Sequence, residues 1–275
     1  MKILIIGVGG VGGYLAGVFV KNGIDTTIFA TPKTNEFIQK NGLKIVDKEE
    51  KFSVCIKTKL SGIYDIIFIT TKAYNLDDIL PILEKHSDKN TIILPLLNGV
   101  GHFEKLKNFN LKKGCIYIVS HKTDINEITK KSDTFYLCYE KDKKLDELFS
   151  KTSLKVKSSE NIDKDIWKKY LFIGTFATLT SYYKQPMGWV VENKKEEVIE
   201  FVKRMIKFAP IELDEKSEIE RIIKQAKNIP YNSKTSMQID FEKNNKTELE
   251  NLVGYLKDDE FINKFYKELK NFAKK

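Results

Sequence analysis

Cysteine, histidine and arginine are all scarce in this chain, and each shortage closes off a class of function. Three cysteines (Cys55, Cys115 and Cys138) and three histidines serve 275 residues. An odd, unclustered set of cysteines gives neither a disulfide framework nor the paired spacing of a zinc site. The expectation is a reduced, cytoplasmic protein with no metal. Arginine occurs only at Arg204 and Arg221, although the net charge is +9. Guanine edges and phosphate forks are read mainly by arginine, and the lysines here are interleaved with 38 acids. No nucleic-acid partner is expected, and the lysine excess contributes only a general field that favours anions. No apolar run approaches the roughly 18–20 residues that a bilayer span needs, so no membrane partner is expected. The opening MKILIIGVGG has the look of a secretion signal, but its glycines fall on a phosphate-loop spacing and no cleavage site follows. It reads as a buried first strand.

What is present is a change of pattern along the chain. Lys2–Ile6 is an apolar run stopped by glycine, Val11–Lys21 has helical character, and Asp25–Ala30 reads as a second strand. A helix over Asn35–Asn41 ends at Gly42, and a pair of strands follows at Leu43–Val46 and Phe52–Thr58. Tyr64–Thr70 and Thr91–Leu96 are continuous apolar runs suited to central strands buried on both faces, with an amphipathic Leu76–Lys85 between them. Cys115–Ser120 and Thr134–Tyr139 are further strands. Beyond about Glu160 only helices are predicted: Asp165–Tyr183, Lys194–Phe208, Glu215–Lys227, Thr247–Leu256 and Glu260–Ala273. Alternating strands and helices give a parallel sheet covered by helices. The fold class is therefore α/β, with an N-terminal domain over residues 1–160, which GxGxxG at Gly7, Gly9 and Gly12 between its first strand and helix marks as a Rossmann dinucleotide-binding domain, and an all-helical domain over 161–275.

The sharpest motif is Gly7-Val8-Gly9-Gly10-Val11-Gly12-Gly13, placed directly between the first strand and the first helix. Gly7 permits the tight turn, Gly9 lets backbone approach a pyrophosphate, and Gly12 lets the helix sit close to the strand. With Gly10 and Val11 they form a loop whose free N–H groups receive a diphosphate at a helix N-terminus. The end of the second strand bears on the choice of dinucleotide. An acid there would accept from the ribose hydroxyls of NAD, but the segment is Phe29-Ala30-Thr31-Pro32-Lys33. Thr31 can donate to a 2′-phosphate and Lys33 can neutralise it, which favours NADP. Lys33 also reads simply as a solvated surface lysine.

Further short motifs follow in order: Thr71-Lys72-Ala73-Tyr74, Leu97-Asn98-Gly99-Val100, Trp167-Lys168-Lys169-Tyr170, Ser236-Met237 and Thr247-Glu248. Together with the glycine loop, their order and spacing resemble the ketopantoate reductase (2-dehydropantoate 2-reductase) family over most of the chain. The resemblance implies a helical second domain of the 6-phosphogluconate-dehydrogenase-like type and a 2-oxo acid held between the domains. It implies NADPH-dependent reduction of ketopantoate to pantoate, a step of pantothenate biosynthesis, with a homodimer as the assembly to test. Lys72 takes the place of the family lysine near the cofactor, and Asn98 that of an asparagine serving cofactor and substrate. Lys169 takes the place of the catalytic lysine, Glu248 of a second active-site residue that also contacts substrate, and Ser236 of a serine binding the substrate carboxylate. Read without the resemblance, Lys72, Lys168 and Lys169 are surface lysines, Asn98-Gly99 is a turn, Glu248 is a first-turn helix acid and Ser236 is a capping hydroxyl.

One departure bears on the substrate. The family carries asparagines four and eight residues beyond its catalytic lysine, whereas this chain has Ile173 and Ala177. Either Thr175, Thr178 or Thr180 receives the substrate hydroxyl, or the substrate is a less polar 2-oxo acid. A dinucleotide-binding module without catalysis is the third alternative, since a Rossmann fold alone does not make an enzyme.

Overall fold

The computed structural model describes residues 1–47 and 50–272, apart from the side chain of residue 131. The chain divides into two compact units, 1–97 with 103–162, and 98–102 with 163–275. The short segment after the fourth strand of the first sheet thus belongs to the helical unit, a transfer that no local pattern announces.

In the first unit, β1 (Lys2–Ile6), β2 (Asp25–Phe29), β5 (Ile66–Ile69) and β6 (Ile92–Pro95) form a parallel sheet in the order β2-β1-β5-β6. The apolar runs are buried on both faces because β1 alternates between two cores. Ile3 and Ile5 pack with Leu15 and Phe19 of α1 (Gly10–Lys21). Leu4 and Ile6 pack with Leu76, Ile79 and Leu83 of α3 (Leu76–His86). The helix α2 (Pro32–Asn41) ends at Gly42, whose φ of 73° is one that side-chain-bearing residues rarely adopt.

A second sheet was not separated from the first by the sequence pattern. It runs β4 (Lys51–Val54), β3 (Leu43–Val46), β8 (Glu127–Glu140), β7 (Gly114–Asp124), with β9 (Val156–Ser159) beside β8. β7 and β8 extend well beyond the short strands predicted and pair antiparallel along their length. Ile45 of β3 and Ile128 of β8 pack onto α1 at Gly17 and Gly13, where an added Cβ would collide with them. The helix α1 is therefore covered on opposite sides, which explains two glycines inside a helix that propensity alone disfavours. The elements α4 (His102–Leu106), α5 (Lys143–Ser150) and β9 escape the sequence reading, each being too short for a clear period.

The second unit is helical. α6 (Ile162–Tyr183), α8 (Lys195–Ile206) and α9 (Glu215–Lys227) lie where the periodicity puts them, and α7 (Met187–Asn193) and α10 (Ser236–Glu242) add short turns between. The predicted helix Thr247–Leu256 is broken: α11 spans only Leu249–Leu252, and a 3₁₀ turn covers Gly254–Leu256. Gly254 weakens the helix there, and an added Cβ would meet Glu250 and Tyr266. α12 (Glu260–Phe272) closes the chain, while Ala273, its predicted last residue, lies outside the described residues. Val198, Phe201, Val202 and Met205 form the buried stripe of α8.

Candidate active site

The first unit carries a loop built for a diphosphate. Gly7 has a φ of 102°, and its N–H donates to the Phe29 carbonyl at 2.8 Å, fixing the turn out of β1. Thr70 Oγ1 donates to the Ile6 and Gly7 carbonyls at 3.0 and 2.9 Å. A Cβ on Gly12 would strike both the Gly7 carbonyl and that hydroxyl, so the start of α1 can approach β1 only because Gly12 lacks one. Gly9 is different: it caps α1 in an extended conformation, and a Cβ added there would meet nothing within 4 Å. No side chain caps the helix and no acid lies in its first turn. The leading N–H groups, those of Gly10 and Val11 among them, lack helical partners. This is an uncompensated positive pole with open space at Gly9 and the Ser120 backbone close against Gly10, and a diphosphate suits such a pole.

A second uncompensated helix start follows β2. Thr31 is the N-cap of α2, Pro32 occupies its first turn, and the first turn has no acid. Thr31 Oγ1 donates to Thr34 Oγ1 at 3.1 Å, and Lys33 is exposed. The sequence reading missed Lys122, in β7, whose Nζ lies 3.4 Å from Thr34 Oγ1. Desolvation lowers the pKa of this ammonium, partly offset by Asp124. Lys122 is 88 residues away from Thr34 in sequence, so only the sheet pairing reveals it. Lys72 follows β5 as a half-buried residue whose carbonyl accepts from Asn75 N–H at 3.0 Å.

In the second unit the structure separates the adjacent lysines 168 and 169. Lys168 turns outward, with 36% of its side chain exposed, and lies 3.5 Å from Glu218 of α9. Arg221 bonds Glu218 at 2.7 Å and donates to the Lys168 carbonyl at 2.8 Å, so α9 holds that side of α6. Lys169 turns inward and is only 8% exposed. A buried ammonium is costly unless hydrogen-bonded, and Lys169 Nζ donates to Asn98 Oδ1 at 3.0 Å. Two groups that the sequence singled out from motifs far apart are thus in direct contact.

Glu248 is 5% exposed and is the N-cap of α11, its carbonyl accepting from Asn251 and Leu252 N–H at 3.1 and 2.9 Å. The same turn reaches back to α6, since Tyr170 Oη donates to the Leu252 carbonyl at 2.8 Å. Burial, then Tyr255, raises the Tyr170 phenol well above its ordinary range, so it remains a donor. Asn251 Nδ2 donates to the Asn98 carbonyl. His102 is 2% exposed, and its pKa falls to about 3 through burial, with the Lys169 ammonium adding to the effect. It stays neutral beside the lysine.

The face of α6 beyond Lys169 is apolar at its next two positions and reaches a buried serine, Ser181, at the third. Ile173 and Ala177 follow it at four-residue spacing, on one stripe of the helix. The nearby threonines point their hydroxyls elsewhere. Thr178 and Thr180 donate to the Gly174 and Phe176 carbonyls at 2.7 and 2.6 Å, and Thr175 lies against Met205 Sδ at 3.6 Å. Thr180 also bonds Thr235 Oγ1 at 2.8 Å. Thr235, rather than Ser236, caps α10, which leaves Ser236 exposed at the first position of that helix. The Thr180–Thr235 contact lies about 16 Å along α6 from Lys169, eleven residues at 1.5 Å each. Ser236 is therefore the neighbour of the residue that meets α6 at Thr180.

The comparisons with known proteins bear on family and fold. The family described as ketopantoate reductase PanE/ApbA matches residues 3–137, and its C-terminal part matches residues 161–258. An uncharacterized oxidoreductase, YkpB of Bacillus subtilis, is 30% identical across 93% of this chain and 91% of its own length. Among solved structures, a dimeric ketopantoate reductase from Staphylococcus aureus superposes with a TM-score of 0.85 at 18% identity, over 100% of this chain and 99% of that one. A D-mandelate dehydrogenase solved with NADH and anilino(oxo)acetate superposes with a TM-score of 0.89 at 20% identity, over 100% and 98%. At these identities the two structures establish the shared fold.

Proposed function

Because this chain belongs to the ketopantoate reductase PanE/ApbA family, whose oxidoreductases use NADPH, we propose that it reduces the keto group of a 2-oxo acid with NADPH and that Lys169 is its proton donor. The observation that carries this reading is the inward, nearly buried Lys169 ammonium on Asn98. Bound NADPH supplies a hydride to the carbonyl carbon. Negative charge then develops on the carbonyl oxygen, and a lysinium stabilises it and donates a proton, an effect of roughly 10²–10⁴-fold. Its positive charge also attracts the substrate carboxylate. Asn98 directs the ammonium, and Glu248, buried in the same unit, is the second polar group for the substrate. Neutral His102 adds no competing cation near Lys169. In the first unit, Gly7, Gly9, Gly10, Val11 and Gly12 hold the diphosphate. Thr31 and Lys33, with Lys122, receive the 2′-phosphate, and Lys72 lies after β5 on the cofactor's path.

Ketopantoate is the substrate that the family indicates, and it would place the protein in pantothenate biosynthesis, with a homodimer as its working assembly. A second reading is favoured by Ile173 and Ala177 together with the threonine hydroxyls, which bond to α6 itself or face its core neighbours. Ile173 and Ala177 offer a substrate hydroxyl no partner, and the first polar side chain at that spacing is the buried Ser181, so an apolar side chain packs on the part of the stripe nearest Lys169. The D-mandelate dehydrogenase of the same fold was solved with an oxo acid that carries an aromatic group. The test is NADPH oxidation with ketopantoate set against 2-oxoisovalerate and phenylpyruvate at equal concentrations. Turnover of ketopantoate in preference to both supports the pathway role, preference for either of the others supports the apolar substrate, and no turnover of any refutes the reductase reading.

A further inference from the structure

The hydrogen bonds around Lys169 close into a ring. Lys169 Nζ donates to the Asn98 side chain, and the Asn98 carbonyl accepts from Asn251 Nδ2. The next residue, Leu252, gives its carbonyl to the Tyr170 hydroxyl at 2.8 Å, and Tyr170 adjoins Lys169 on α6. Every member lies in the helical unit. The weak link is the segment Asn98-Gly99-Val100-Gly101, where two glycines leave the backbone with little stiffness of its own. Gly99 has a φ of 82°, and a Cβ added to it would lie 2.6 Å from both Nδ2 and the carbonyl oxygen of Asn251. The segment is therefore seated directly on Asn251, and its bond there is to main chain, which orients the whole residue rather than one rotamer.

Resting on the reductase reading above, we propose that Asn251 is a positioning residue for the reaction: it fixes the Asn98 backbone, so that the Asn98 carboxamide aims the Lys169 ammonium. Glu248 shares the same turn, because its carbonyl accepts from Asn251 N–H at 3.1 Å. One side chain thus ties the acid's turn and the amide's segment together. A proton donor must be held within about 0.5 Å of its productive position, and a misplacement of about 1 Å can cost up to 10²-fold.

The test uses Asn251→Leu, which keeps the shape and removes the donor. Its kcat should fall about tenfold while the KM for NADPH stays within about twofold, since the diphosphate loop is in the other unit. In an Asn98→Ala background, which retains the carbonyl but lacks the amide that aims Lys169, Asn251→Leu should lower kcat by less than about twofold. Hydrogen exchange of the unliganded full chain gives a readout independent of turnover. Peptides covering 98–102 should exchange faster in Asn251→Leu, with the melting temperature within a few degrees of the parent. An unchanged kcat, a loss that multiplies fully with that of Asn98→Ala, or unchanged exchange at 98–102 would each overturn the proposal. Should the parent protein reduce no 2-oxo acid, the functional reading fails and the exchange experiment still decides the role of Asn251 in the brace.

Discussion

Lys169 and Asn98, 71 residues apart in the chain, are joined by a 3.0 Å hydrogen bond from Nζ to Oδ1. The bond fixes the direction of an ammonium that is otherwise nearly surrounded by protein.

The glycine loop makes a prediction that separates folding from binding. A Cβ at Gly12 collides with the Gly7 carbonyl and Thr70, whereas one at Gly9 meets only open space. Gly12→Ala should lower the melting temperature by several degrees, in keeping with about 1–3 kcal/mol of overpacking in the 275-residue chain. Gly9→Ala should melt like the parent yet bind NADPH at least about tenfold more weakly, because the methyl occupies the diphosphate's approach. Calorimetry with and without NADPH reads both.

Cofactor choice is tested at the start of α2. With no acid in its first turn, and with Lys33 and Lys122 nearby, the protein should prefer NADPH to NADH. Lys33→Ala and Lys122→Ala should each raise the Kd for NADPH about three- to tenfold and leave that for NADH within twofold, as expected for exposed charge pairs. Equal losses for both cofactors, measured by fluorescence titration, would remove these lysines from 2′-phosphate recognition.

His102 sets an acid limit on stability. Its folded pKa is depressed from 6.5 to about 3, so below 6.5 the unfolded chain takes up a proton that the folded chain refuses. Stability is therefore lost as pH falls from 6.5 toward 3, by up to about 4 kcal/mol near pH 3.5 for this group alone. Urea unfolding of the parent and of His102→Gln across this range should show a shallower acid decline in the variant. Parallel declines would show that His102 does not titrate as buried.

The fold is legible where a period or a special residue marks it. The strand–glycine–helix start stands out because glycine is demanded at both Gly7 and Gly12, and the buried strands because they are apolar without alternation. The division into two sheets is not legible, since β3, β4 and β8 read like any strands and it is contacts such as those of Ile45 and Ile128 with α1 that show where their sheet packs. Similarly, Lys168 and Lys169 look alike in sequence, and what tells them apart is Glu218 and Arg221 on one side of α6 and Asn98 on the other. Asn251 and Lys122 carry no motif at all, since each matters through a partner that only tertiary structure supplies.

The apolar stripe on α6 can be reversed. Restoring amides with Ile173→Asn and Ala177→Asn together should raise the kcat/KM of ketopantoate relative to 2-oxoisovalerate by about tenfold or more, since polar pairing discriminates strongly. An unchanged ratio would place the substrate's side chain elsewhere.

The most direct measurement is single-turnover NADPH oxidation, followed at 340 nm, by the parent and by Lys169→Ala with the best 2-oxo acid found. The variant should bind NADPH normally while its hydride-transfer rate falls by about 10²-fold or more, in line with loss of a positioned proton donor. A rate within about threefold of the parent would contradict it.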